Sequence, residues 1–261
     1  MNARHILIIF LTLSLAACGT IRHVTHPDRE DIKASRLHLV DQFAQHNNFL
    51  FRGSDPVLHD KVFAYDELVQ LMRTAARAKG VILPDDFYLI DVSLLYVERA
   101  DKSVEKKYFH DNPYKGEYVN YPVFGHVGGN RFERVIHISD KVVGFLKKFV
   151  DYPIFGSLDK LLKYVEKGEQ KLTHLDIQAV TGIRGLLTQK RDRAVVVYVH
   201  CVAGCDRTGE IIGGYRMQYM RQSLQDVYAQ NTRECQREEN VFSKDALLAY
   251  CRYLGKSDCT I

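Results

Sequence analysis

Apolar residues fall along this chain in short, evenly spaced groups, with one exception at the N-terminus. Ile6 to Ala17 is an uncharged run of 12 residues behind Arg4. As a helix it would span about 18 Å, well short of the roughly 30 Å hydrocarbon core of a bilayer. The pattern therefore predicts a secretory signal over residues 1–17 rather than a membrane span. Residues 19–34 are polar and without period, and 18–45 is read as a tether ahead of one domain over 46–261.

Within the domain the periods alternate. Asn48 to Phe51 is a short apolar strand running into a turn at 52–56. Val62, Tyr65, Leu68, Leu71, Met72 and Ala75 then stand at helical spacing and Gly80 marks the stop. Phe87 to Val97 predicts a buried strand. Residues 99–134, rich in Tyr, His, Gly and Asn, predict a long loop or small insertion. Ser157 caps a predicted helix ending at Gly168, and Thr173 with Asp176 forms a capping-box pattern ahead of Ile177, Val180, Ile183 and Leu187. Ala194 to His200 has the composition of a buried parallel strand. Helices follow over about 208–221, 223–236 and 243–254. Strands alternating with helices imply an α/β fold, a layered central sheet flanked by helices.

Composition narrows the function. The chain of 261 residues is 46% hydrophobic and 26% charged, and its net charge is only +4. So mild a balance gives no support to a nucleic-acid partner. Cysteine usage adds more. The apolar run ends in Leu15-Ala16-Ala17-Cys18-Gly19, which resembles the lipobox of bacterial lipoproteins. The resemblance implies acylation of Cys18, a membrane partner through that lipid, and a bacterial cell-envelope location. With Gly19 in place of Asp, it further implies sorting to the outer membrane. An exported chain meets an oxidising compartment, so Cys201, Cys205, Cys235, Cys251 and Cys259 are free to form disulfides. Five is odd, so one thiol at least stays free.

The chemistry lies in the loop after the strand at 194–200. It reads His200-Cys201-Val202-Ala203-Gly204-Cys205-Asp206-Arg207-Thr208-Gly209. A strand-to-helix turn of this kind aims successive N–H groups at one point, and the helix N-terminus adds to the positive field. Arg207 contributes a fork suited to two phosphate oxygens. Cys201 sits at the mouth of that field, where a thiol ionises readily.

This segment resembles the H-C-x-x-G-x-x-R-[ST]-G signature of the cysteine-dependent protein tyrosine and dual-specificity phosphatases, and all six fixed positions match. The resemblance implies that Cys201 is the nucleophile, forming a phosphocysteine, and that Arg207 binds phosphate and stabilises the transition state. The amides of Val202, Ala203, Gly204, Cys205, Asp206 and Arg207 would line the pocket. The Thr208 hydroxyl would bond the sulfur, and His200 would order the loop and help lower the thiol pKa. No metal and no cofactor are implied.

The general acid is open at this point. The Trp-Pro-Asp mark of the tyrosine-specific branch is absent, since the chain has no Trp. Asp206 resembles the loop Asp of myotubularin-type lipid phosphatases. Its other reading is a salt bridge that orients Arg207. Asp176 and His174 lie in the region where the family carries its acid, although Asp176 also suits a capping role. Phosphorylated protein is the expected substrate, with phosphoinositides or inositol polyphosphates as the alternative. A non-catalytic phosphate-binding lipoprotein is the rival of another class. For these the sequence offers Tyr108, Tyr114, Tyr118 and Tyr121 as a pocket wall, and Lys163, Lys167, Lys171, Lys190, Arg191 and Arg193 as rim cations. Cys205, four residues after Cys201, suggests a reversible disulfide with it.

Overall fold

A computed structural model of the chain describes residues 32–58, 61–95, 100–123 and 176–259. The signal segment, Cys18, the helix predicted from Ser157, Thr173, His174, Lys163, Lys167 and Lys171 lie outside the described residues.

The described chain opens with a short 3-10 helix, Ala34–Arg36, and a hairpin of β1 (His38–Phe43) and β2 (Asn48–Ser54). Then come α1 (Tyr65–Arg77), β3 (Phe87–Ser93), α2 (Ala100–Asp111) and β4 (Gly116–Asn120). A helix over 176–187, here α3, precedes β5 (Ala194–Cys201), α4 (Asp206–Tyr219), α5 (Leu224–Cys235) and α6 (Val241–Tyr253). Strand order is β1-β2-β5-β3-β4. β5 lies centrally, parallel to both β2 and β3, β4 is parallel to β3, and only β1 runs antiparallel. The sheet is thus α/β and mixed, as the alternating periods predict.

The period of two in each strand divides the core. Val195, Val197, Val199 and Cys201 of β5 join Leu50, Ile90 and Val92 against α3, α4 and α6. Val196 and Tyr198 face the other way, with Phe49, Phe51, Phe87 and Leu89, against α1 and α2. Crossovers β2→β3 and β3→β4 put α1 and α2 on one face. The return from β4 to β5 goes the opposite way along the sheet and carries α3 on the other face, as right-handed connections require.

Three expectations need correction. The stretch 18–45 is not all tether: Ile32, Leu37 and Val40 are buried, and β1 pairs with β2 through a turn at Asn47. The domain therefore reaches back at least to Ile32. Its edge strand carries polar residues on the open side, so no continuous apolar run announces it. Residues 99–134 are not a loop throughout either, because α2 and β4 lie within them. α2 buries few apolar side chains, Phe109 chief among them, and β4 is a five-residue edge strand. Both are too weakly patterned to read without their partners. Val62, placed on the α1 stripe by spacing, lies before that helix and is exposed.

Leu68 and Ile82 provide a check on this core. Leu68→Ala, at a fully buried residue of α1, should lose about 2–5 kcal/mol. Ile82, 82% exposed, should change by less than about 0.5 kcal/mol on Ile82→Ala. Urea unfolding of the two variants would separate them.

Candidate functional site

The loop sits where β5, the central strand, runs out at the C-terminal edge of the parallel sheet, the usual position for ligands in open α/β folds. Val202 to Cys205 turn the chain, and α4 begins at Asp206 with its N-terminus toward the turn. Gly204 has φ +70°, and a Cβ there would strike the Gly53 carbonyl and lie 2.7 Å from the Ser54 nitrogen. Only glycine lets the loop lie against the end of β2.

Three successive loop carbonyls are pinned from outside. Val202 O accepts from the Asp55 amide at 3.2 Å. Ala203 O accepts from Arg36 Nη1 at 2.9 Å, and Gly204 O from Arg52 Nη2 at 2.9 Å. In a trans peptide the N–H points opposite the carbonyl before it. The N–H groups of Ala203, Gly204 and Cys205 are therefore turned away from those partners. A nest of the kind the sequence predicts would be built in this way, by pulling on its back.

The pull is anchored in a buried charge network. Arg52, fully buried, also donates to Asn231 Oδ1 at 2.7 Å and Glu234 Oε2 at 2.8 Å. Arg216 donates to Glu234 Oε1 at 2.6 Å and to the same Asn231 oxygen at 3.2 Å. Asn231 Nδ2 in turn donates to Gly209 O and to Glu239 Oε1, each at 3.0 Å. A side chain on Gly209 would run into Glu239, which is why the helix start needs glycine there. Burial pushes the Glu234 carboxyl up, but Arg52 and Arg216 outweigh it and draw it down to about 2.

Cys201 is buried and is the one free cysteine among the described residues. Burial alone would raise its thiol. The Arg207 charge and the Thr208 hydroxyl and amide reverse this, and the pKa is lowered from its ordinary 9.0. His200, expected to help lower the thiol, is engaged elsewhere. Alternation in β5 turns His200 to the sheet face opposite Cys201, where its Nε2 lies 3.1 Å from Asp91 Oδ1 and 3.7 Å from Glu105 Oε1. Burial pushes the imidazole down, while Asp91, Glu105 and Asp55 outweigh it and raise it to about 10. Asp55 is itself pushed up by burial to about 6, and Glu105 is raised as well. The Asp55, Glu105 and His200 donor atoms lie within 4.8 Å of one another, a spacing that suits a cation. The imidazolium already supplies that charge from within, and no metal is assigned.

The acid candidates separate clearly. Asp206 is held by Arg237 in a two-point ion pair, at 3.0 and 2.6 Å, and by the Asn240 amide at 2.9 Å. Burial raises it, but these partners win and leave it lowered. Its salt bridge is thus to Arg237, not to Arg207 as the sequence suggests, and it is held as a carboxylate. Asp176 behaves oppositely. It opens α3, is buried, and burial lifts it to about 7 against a hydrogen bond with Glu210 that lowers it. Glu210, on α4 three residues after Arg207, is raised by burial and by the charge of Asp176. Val180 packs on Gly214 just as Asp176 meets Glu210, so α3 and α4 run side by side with their starts at the loop end of the sheet. Two touching carboxyls in that position retain a proton at neutral pH.

Other expected residues are placed elsewhere. Lys190, Arg191 and Arg193 precede β5 and so lie at the far end of an eight-residue strand, roughly 23 Å from Cys201. Arg191 pairs with Glu117 and lies over Tyr88, and Arg193 pairs with Asp86; they are not rim cations. Tyr108 stacks on Phe63 and Tyr65, and Tyr114 holds Arg193 through its carbonyl, so neither walls the site. Tyr118 is half-buried beside Lys106. Tyr121, past the end of β4, packs at Gly182 of α3, on the loop side.

Cys205 is bonded to Cys235, and Cys251 to Cys259, so the suggested Cys201–Cys205 bridge is replaced by a different one. Closing a loop with a sequence separation of 30 is worth about 3–4 kcal/mol by unfolded-chain entropy. The residues that sequence reasoning missed are those behind the loop: Arg36, Arg52, Asn231, Glu234 and Arg237. An arginine inside the apolar stretch Phe49-Leu50-Phe51-Arg52 was the available signal.

No model of a known protein family matches this chain, and no curated protein matches it either.

Arg52→Met should cost about 3–5 kcal/mol, since it leaves the Gly204 carbonyl without its donor and the buried Glu234 with Arg216 alone. Lys107→Ala, at an exposed pair, should cost under about 1 kcal/mol. Thermal or urea unfolding decides between them. The depressed Glu234 pKa sets a sign as well. Its contribution is full above its ordinary 4.5 and lost as pH falls toward about 2. The acid limb of the stability curve should flatten in Glu234→Gln.

Proposed function

We propose that this chain is a phosphomonoester hydrolase of the cysteine-dependent protein tyrosine/dual-specificity type, acting through a phosphocysteine. One observation carries the reading: Cys201, the one free thiol among the described residues, has its pKa lowered by Arg207 and Thr208 and stands before a loop whose Val202, Ala203 and Gly204 carbonyls are held from outside. An inert core cysteine needs neither the lowered pKa nor the nest. A mere phosphate receptor needs the nest and not the thiolate.

The chemistry follows from these groups. Three phosphoryl oxygens take the loop N–H groups and the Arg207 fork, which leaves phosphorus facing the Cys201 sulfur. The thiolate attacks, the S–P bond forms, and the P–O bond to the leaving group breaks. The departing oxygen needs a proton, and we assign it to Asp176, which opens α3 beside the start of α4 and is raised to about 7. Glu210 and Glu239 are raised as well but are engaged by Asp176 and Asn231. Having given it up, Asp176 takes a proton from the water that then attacks phosphorus, and phosphate and thiolate are released. Asp206 stays with Arg237 and steadies the start of α4.

Phosphorylated protein is the substrate we favour, because Lys190, Arg191 and Arg193 are spent at the far end of the sheet and lend nothing to a polyanionic inositol ring. The two disulfides suit an exported protein, in keeping with a chain anchored through Cys18 at the bacterial envelope. No described helix is long and apolar enough to cross a membrane.

Phosphate release with EDTA present tests the reading on an aryl phosphate, a phosphotyrosine peptide, phosphoinositides and inositol hexakisphosphate. Turnover should survive the chelator and vanish in Cys201→Ser; no turnover despite oxyanion binding would leave a receptor instead. Asp176→Asn should lower turnover of alkyl phosphates by about 10²-fold or more, and that of nitrophenyl phosphate far less. In the parent the rate should fall as pH rises through about 7, where Asp176 loses its proton. Asp206→Asn should keep that limb in place.

A further inference from the structure

The buried residues at the end of α5 reach the loop. Glu234 holds Arg52, which holds the Gly204 carbonyl. Cys235, the next residue, is bonded to Cys205. The helix then ends in a left-handed Gln236, and Arg237 clamps Asp206 at the start of α4. Cys205 joins loop to helix: its own amide follows the Gly204 carbonyl, and its carbonyl accepts from Gly209 N–H at 2.5 Å. Both sulfurs are buried. The second disulfide, Cys251–Cys259, ties α6 to the segment after it and touches none of these groups.

We propose that the Cys205–Cys235 disulfide is a redox-set clamp on the loop: intact, it holds the loop in its oxyanion-binding shape, and reduction to two thiols loosens it and weakens that binding. A dithiol reductant suffices for the step. It delivers two electrons and two protons, the S–S bond breaks, two S–H bonds form, and the reductant closes to its own disulfide. The proposal rests on reading the loop as an oxyanion site. Its consequence is an inverted redox response. Where the nucleophile is the only redox-sensitive thiol near the site, reductant protects function; here reductant preserves Cys201 and opens the clamp beneath it. The same bond occupies Cys205, so Cys201 has no resolving thiol within its loop, and oxidant carries it to sulfenic and higher acids.

The test uses the full chain in detergent, with tungstate as probe because it mimics phosphate without oxidising thiols. Calorimetric affinity would be measured before and after a dithiol, with peptide mapping to follow the Cys205–Cys235 link and circular dichroism to follow the fold. Reduction should weaken binding about tenfold or more with secondary structure retained. Cys235→Ala should match the reduced protein without reductant. A Cys251→Ala/Cys259→Ala double variant should bind like the parent and still respond to reductant. Affinity within twofold across the oxidised, reduced and Cys235→Ala proteins would overturn the clamp while leaving the site intact. An oxidised parent that binds no tungstate would overturn the oxyanion reading, and the clamp with it.

Discussion

The site depends on three carbonyls facing the wrong way. A strand-to-helix turn left to itself satisfies its polar groups locally or in water, and nothing then obliges its N–H groups to converge. Here Asp55, Arg36 and Arg52 each take one carbonyl from Val202, Ala203 and Gly204. Peptide planarity does the rest, since fixing one side of each unit fixes the other. Arg52 is the central member because its guanidinium is fully buried and is itself held by Glu234 and Asn231. Such a network contributes little net stability against an apolar alternative. Its service is to geometry, and it explains why so much charge is kept inside a small domain.

A second constraint is the distribution of protons around the loop. The domain buries many carboxyls near one sheet edge, and their neighbours sort them into distinct states. Glu234, between two arginines, is strongly acidic. Asp206, gripped by Arg237, is lowered. Asp176, with another carboxyl as its neighbour, stays near 7. Asp91 and Glu105 face a buried imidazolium. The same chemical group thus appears as an anchor, as a helix-start brace and as a carboxyl that keeps its proton near neutral pH, and only the partner distinguishes them.

The alternation of β5 places both halves of this arrangement at once. One residue apart on the strand, Cys201 and His200 point to opposite faces. The thiol joins the helical layer of α3, α4 and α6, while the imidazole meets β3 and α2. Two chemically different environments therefore stand back to back across a single strand, and the disulfide at Cys205 ties the loop between them to α5.

Much of this was legible along the chain. The apolar run Ala194-Val195-Val196-Val197-Tyr198-Val199 marks a central strand because burial on both faces leaves no polar alternation. Gly204, Arg207, Thr208 and Gly209 mark the loop, and the helices after it follow from local spacing and turn residues. These are short-range properties, set by backbone conformation and by the side-chain period. The remainder is decided by contacts between residues far apart in sequence. Nothing local says that Arg52 will reach Glu234, that Asp206 will choose Arg237 over Arg207, or that Cys205 will pair with Cys235 rather than with Cys201. Lys190, Arg191 and Arg193 look available to the loop until the length of β5 carries them to the other end of the sheet. β1, α2 and β4 bury so little on their own that only their neighbours make them elements at all. Sequence alone determined which residues form the loop and what chemistry they offer. The tertiary structure decided which way each group faces and whether it holds a proton, because orientation and ionisation depend on partners that only folding brings together.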